Sequence, residues 1–228
     1  MGFQIYKPEW GTEHPIRGVL FDMDGLVLDS EKLYTRFWRE AAADFGFEMT
    51  FEQSLGMRSL GKELGQAYLE SLFGPSVDYT ALRSRRIVRM DAYVAAHGID
   101  PKPGIYELMD YLNSKGISAA ITSSSPMAYI QKHLKDANLL HRFQALCSGH
   151  EVPNGKPAPD IYLHGAAALG LDPRECLALE DSPTGILAAY RAGCLPVMIP
   201  DLDAPDRETL PRLYAQADSL ADIIALLD

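Results

Sequence analysis

Five short apolar runs, each closed by polar or turn-forming residues and separated from the next by a helix-like stretch, constrain the fold of this chain. They span 18–21, 117–122, 145–148, 176–179 and 195–199. Each is too short for a helix and ends in a turn signal, so each predicts a buried strand. Between them, Ile105, Leu108, Met109 and Leu112 share one helical face, as do Ile130, Leu134 and Ala137, and then Ile161, Ala168 and Leu169. Strand alternating with helix predicts an α/β fold: a Rossmann-like parallel sheet with helices on both faces.

Residues 30–100 break that alternation and carry helix signals only. Leu33, Phe37, Ala41 and Phe45 form one set, Leu64, Ala67, Tyr68 and Leu72 a second, and Leu82 through Val94 a third. This stretch predicts an inserted α-helical subdomain, with the core made of 16–29 and 101–228. The return linker is rich in proline and glycine around Pro101, Pro103 and Gly104, as a chain turning back to its core requires. Residues 1–15, broken by Pro8, Gly11 and Pro15, read as an N-terminal extension lying on the surface.

Composition narrows the partners. With 21 Lys+Arg against 31 Asp+Glu, the net charge is −10 and no basic block rises above it, which argues against nucleic acid and anionic membrane. Three cysteines without C-x-x-C spacing read as reduced, structural thiols. No apolar run approaches the roughly 20 residues of a membrane span, and the N-terminus lacks the apolar core of a signal peptide. A soluble cytoplasmic protein is expected, and a monomer is compatible with the sequence.

Ligands of open parallel sheets bind beyond the carboxyl ends of the strands. The first run ends in Asp22-Met23-Asp24-Gly25, the second in Thr122-Ser123-Ser124-Ser125-Pro126, and the fourth in Glu180-Asp181-Ser182-Pro183. The loop after the third leads to Gly155-Lys156-Pro157. Four acids, a hydroxyl cluster and a lysine thus converge on one rim. Carboxylates so gathered repel one another, and a hard divalent cation with oxygen ligands relieves this; Mg2+ fits, since it takes one or two carboxylates plus substrate phosphate. The serine turn offers a phosphate cradle from its N–H groups and the Ser123 hydroxyl, with Ser125 expected to cap the next helix and Pro126 to open it.

Metal, phosphate cradle and lysine together point to phosphoryl transfer. Asp22 has no Ser, Cys or His nucleophile beside it and can itself attack phosphorus. Asp24, two residues on, is placed to protonate the leaving alcohol and then activate water. Taken singly, the serines read as a helix cap, Lys156 as a solvated lysine, and Glu180-Asp181 as acids complementing a helix dipole. Their order, each after its strand, is what is specific.

These four motifs make the sequence similar to the haloacid dehalogenase-like superfamily, over nearly all of residues 18–228. The helical insert resembles the cap of its β-phosphoglucomutase-like and sugar-phosphatase branch. The resemblance implies a Mg2+-dependent phosphatase of a small phosphorylated metabolite, a sugar phosphate or a nucleoside monophosphate, working through an aspartyl phosphate. It implies Asp22 as nucleophile and Asp24 as general acid/base. Mg2+ would be held by Asp22, the Asp24 carbonyl and Asp181, with Glu180 direct or through water. Ser123, Ser124 and Lys156 would bind the phosphoryl group. β-Phosphoglucomutases carry a histidine twelve residues after the nucleophile, where this chain has Tyr34, which favours hydrolysis over the alternative of a sugar phosphomutase. A silent, binding-only member would lack Asp22 or Asp24, and both are present. The string from Phe21 to Tyr34 also resembles pseudouridine-5′-phosphate phosphatases. In the cap, Tyr34, Trp38 and Arg58 are the candidates for touching substrate, with packing of the cap's own core an equal reading for the two aromatics.

Overall fold

One residue sequence, Gly18-Val19-Leu20-Phe21, supplies an inner strand of a seven-stranded sheet, paired on both sides. The structure is a computed structural model and describes residues 2–58, 60–202 and 204–228. In chain order the elements are β1 (Phe3–Ile5), α1 (Pro8–Glu13), β2 (Gly18–Phe21), α2 (Glu31–Asp44), α3 (Phe51–Leu55), α4 (Lys62–Phe73) and α5 (Tyr79–His97). There follow α6 (Ile105–Lys115), β3 (Ser118–Ser123), α7 (Met127–Asp136), β4 (Ala145–Ser148), α8 (Asp160–Ala168) and β5 (Cys176–Glu180). The chain ends with α9 (Pro183–Ala192), β6 (Leu195–Met198), β7 (Ala215–Ala217) and α10 (Asp222–Leu227). The sheet order is β1-β7-β6-β5-β2-β3-β4, and all pairs are parallel except β1 with β7. The five predicted strands are β2 to β6.

Two strands escaped the sequence reading. Residues 3–5, expected within a surface extension, pair antiparallel with β7, Phe3 opposite Ala217 and Ile5 opposite Ala215. Each strand has three residues, too few for a period-2 signal, and backbone pairing at the sheet edge decides them. Met1 of that expected extension lies outside the described residues.

The chain divides into two compact units, Met1–Asp29 with Asp100–Asp228, and Ser30–Ile99. In the first, register puts Leu20, Ala120 and Ala178 side by side. They pack with Ile161, Tyr162 and Ala166 of α8, with Ala188, Ala189 and Ala192 of α9, and with all three cysteines. The alternate residues Val19, Phe21, Leu177 and Leu179 are also fully buried, as strands covered on both faces must be. The thiols are free, and burial pushes Cys147 up to about 11 and Cys176 to about 12, so they act as small hydrophobes. The excursion into the second unit starts and ends at touching backbone: Asp29 N donates to Asp100 O at 2.8 Å, and Leu28 bridges Pro101.

The second unit is helical. α2 lies along α5, and Trp38, Ala42, Met49, Met57, Leu69, Tyr79 and Leu82 form its core. A capping box between Thr50 and Gln53 starts α3, and the Asp78 side chain accepts from Thr80 N and Ala81 N to start α5. No helix among the described residues is long and apolar enough to cross a membrane.

Candidate active site

Register gathers the motif residues. Phe21 pairs with Ile121 on one side and Leu179 on the other. The residues that follow, Asp22, Thr122-Ser123 and Glu180-Asp181, therefore stand together at the carboxyl edge of the sheet. Asp22 N still donates to Leu179 O at 3.0 Å, so the carboxylate stands on fixed backbone. The chain then turns tightly, with Val27 N and Leu28 N both donating to Met23 O and Gly25 N to Leu28 O. Gly25 has φ +87°, a value that favours glycine and lets Asp24 leave the strand and double back.

Charge is concentrated where these ends meet. Lys156 Nζ donates to Asp22 Oδ1 at 2.5 Å and to Glu180 Oε1 at 2.6 Å, with all three side chains nearly buried. Tyr162 OH donates to the same Glu180 Oε1 at 2.6 Å, and Ser182 Oγ to Oε2 at 3.1 Å. The Glu180 carboxylate lies flat on α9: a Cβ added to Gly185 would sit 1.8 Å from Oε1. Ser182 caps α9, accepting from Gly185 N, with Pro183 at the first turn as the sequence leads one to expect.

Burial pushes the Asp22 carboxyl up to about 7; Lys156 pulls against that, and Glu180 and Asp24 add to the rise. Burial alone would lower Lys156, but Asp22 and Glu180 outweigh it and its pKa is raised, so the ammonium stays charged. Burial and the two carboxylates hold the Tyr162 hydroxyl well above its usual range, keeping it a donor.

Asp22, Glu180 and Asp181 each present a carboxylate oxygen within 4.8 Å of the others, all three residues buried. Hard oxygen donors, crowded until one of them resists ionisation, fit a divalent cation of the Mg2+ kind. Glu180 is engaged through both oxygens, Oε1 by Lys156 and Tyr162 and Oε2 by Ser182.

The serine turn differs from expectation. Pro126, not Ser125, is the N-cap of α7, and no side chain caps it. Ser125 Oγ instead donates to Asp24 Oδ2 at 2.8 Å, and Ser125 N donates to Ser123 Oγ at 3.1 Å. A cap needs its side chain directed along the helix axis, whereas Pro126 takes the extended cap conformation itself and turns Ser125 toward Asp24. Ser123 is buried and Ser124 exposed.

In the helical unit, Trp38 is buried in the core against Tyr79, their ring centroids 5.8 Å apart. Tyr34 is half-buried, with the Arg86 guanidinium 4.7 Å from its ring. Arg58 Nε donates to Leu55 O at 3.3 Å. Sequence reading passed over Tyr162, which falls at a helical core position, and over Gly185 as the seat of Glu180.

A family model described as haloacid dehalogenase-like hydrolase matches residues 16–193. The chain belongs to the haloacid dehalogenase-like hydrolases. Among relatives in this family, hexitol phosphatase B of Escherichia coli K12 is 30% identical over 220 residues, covering 94% of this chain and 96% of its own. Hexitol phosphatase A of the same strain is 34% identical over 178 residues, 78% of this chain and 80% of its own. The solved structure of a HAD family hydrolase from Deinococcus radiodurans R1, with bound phosphate and sodium, superposes with a TM-score of 0.81 at 26% identity. That match covers 93% of this chain and 95% of the other.

Proposed function

We propose that this haloacid dehalogenase-like hydrolase is a Mg2+-dependent phosphatase of small phosphorylated polyols or sugars, working through an aspartyl phosphate. The chain is an enzyme of the phosphoric monoester hydrolase type. The buried Asp22–Lys156–Glu180 cluster beside Asp181 carries the reading, and the relatives named as hexitol phosphatases support its substrate class.

Asp22 and Asp181 would hold the cation, with Glu180 reaching it through water and the Asp24 carbonyl completing the protein's share. Bound Mg2+ supplies charge that keeps Asp22 ionised and withdraws electrons from the phosphoryl oxygens. Lys156 restrains Asp22 Oδ1 and balances the charge of the phosphoryl group, which the Ser123 hydroxyl and the Ser124 N–H cradle. Asp22 attacks phosphorus as the ester P–O bond breaks, and Asp24 gives its proton to the departing alkoxide. Water then loses a proton to Asp24 and attacks the same phosphorus. The acyl-phosphate P–O bond breaks, freeing inorganic phosphate and restoring Asp22. Tyr34 and Arg58 are the helical unit's candidates for substrate contact; Trp38, part of that unit's core, is left out.

Phosphate release from a panel of hexitol, sugar and nucleoside monophosphates, with Mg2+ or with EDTA, tests the reading. Mg2+-dependent release is expected, with hexitol or sugar phosphates ranking first. Asp22→Asn should lose at least roughly 10³-fold of it, as removal of a covalent nucleophile does. Full activity in that variant, or isomerisation of a sugar 1-phosphate without release, would overturn it.

A further inference from the structure

Ser125 stands at a junction of three strand ends. Its N–H donates to Ser123 Oγ at 3.1 Å, and its carbonyl accepts from the Ser148 hydroxyl at 2.7 Å, Ser148 itself being fully buried at the end of β4. The Ser125 backbone is thus braced from both β3 and β4. Its own hydroxyl, released from any capping duty by Pro126, donates to Asp24 Oδ2 at 2.8 Å. Asp24 sits half-buried on the turn after β2, and the terminal torsion of an aspartate is broad, so a hydrogen bond to one oxygen sets which way the carboxyl faces.

We propose that Ser125 is a positioning residue for Asp24, its hydroxyl anchoring Oδ2 and so holding the carboxyl group in one orientation. The inference rests on the acid/base role proposed for Asp24. Ser125 then affects the reaction only where a proton must reach the leaving group. An alkoxide needs that proton, whereas a nitrophenolate departs without it.

The experiment is single-turnover alcohol release from sorbitol 6-phosphate and from p-nitrophenyl phosphate at saturating Mg2+. It compares the wild type with Ser125→Ala, Ser125→Thr and Asp24→Asn. Ser125→Ala is expected to slow the alkyl ester about tenfold, a part of the 10²–10⁴ that general acid catalysis contributes, and to leave the aryl ester within about twofold. Ser125→Thr, which keeps the hydroxyl, should restore the alkyl rate. Asp24→Asn should show the same selectivity more strongly. Equal slowing of both esters by Ser125→Ala, or no slowing of either, overturns the positioning role while a selective Asp24→Asn leaves the acid role standing. Equal slowing of both esters by Asp24→Asn overturns the two together.

Discussion

Lys156 and Arg86 are both buried cations, and the molecule neutralises them in opposite ways. Lys156 is held by two carboxylates, and its pKa is raised. Arg86, 7% exposed on α5, lies 4.7 Å from the Tyr34 ring and 5.3 Å from that of Trp38, with Met90 Sδ as acceptor for Nη1. Its Nε has no hydrogen-bond partner among the described residues, and burial lowers its pKa. Rings attract a cation without being stranded when it leaves. Carboxylates are stranded, because a buried charge without its partner is costly. One lysine therefore holds a reactive site together, whereas the arginine packs a helix pair.

Replacing each cation by methionine tests the contrast most severely. Lys156→Met leaves Asp22 and Glu180 buried together and should cost about 3–5 kcal/mol in urea unfolding, with activity gone. Arg86→Met removes a charge and fills similar space, so about 1 kcal/mol or less is expected. Equal losses would erase the distinction. Next in size is Gly185→Ala, whose methyl would overlap the Glu180 carboxylate. Displacing that carboxylate from Lys156 should cost about 1–3 kcal/mol and lower phosphatase activity, both measurable on one preparation. Tyr162→Phe deletes one of the donors to Glu180 and should cost about 1–2 kcal/mol, with turnover reduced rather than abolished.

The smallest expected effect lies on the surface of the helical unit. Hydrogen bonds from Arg89 and Arg85 hold Asp44 well below the usual carboxylate range. A carboxyl lowered by folding stabilises the folded state above its unfolded pKa, about 3.9, and that contribution fades as pH falls through the folded value. Melting temperature followed from pH 5 downward should therefore fall less in Asp44→Asn than in the wild type. Solvent and salt screen this pair, so the difference should be slight. Identical slopes would remove Asp44 from the acid response.

The strands and the rim were legible because chemistry follows directly after each apolar run. Asp22, Ser123 and Glu180 could be placed by counting from Phe21, Ile121 and Leu179. What depends on side-chain reach was hidden. Tyr162 looks like any helical core aromatic, and its bond to Glu180 spans two elements. Ser125 next to Pro126 matches a cap by sequence, and only the backbone turn shows that its hydroxyl goes elsewhere. Trp38 satisfied helical spacing for packing and for contact alike, and the structure places it in the core. Arg86 did leave a trace. Leu82, Arg86, Met90 and Val94 recur every four residues on the buried face of α5, which marks the arginine as internal although Arg83, Arg85 and Arg89 lie near it in sequence.

The junction between Asp29 and Asp100 bears on how such a molecule can change. To the sheet, everything from Ser30 to Ile99 is a single closed loop whose ends are tied by backbone hydrogen bonds, Asp29 N to Asp100 O and Lys102 N to Val27 O. Closing a longer or shorter loop at that point alters the free energy only logarithmically with its length. The helices between could be lengthened, recast or exchanged for others with little strain on β2, β3 or β5. A lineage could thus acquire new specificities as separate plug-in pieces while Asp22, Lys156 and Glu180 stay in register.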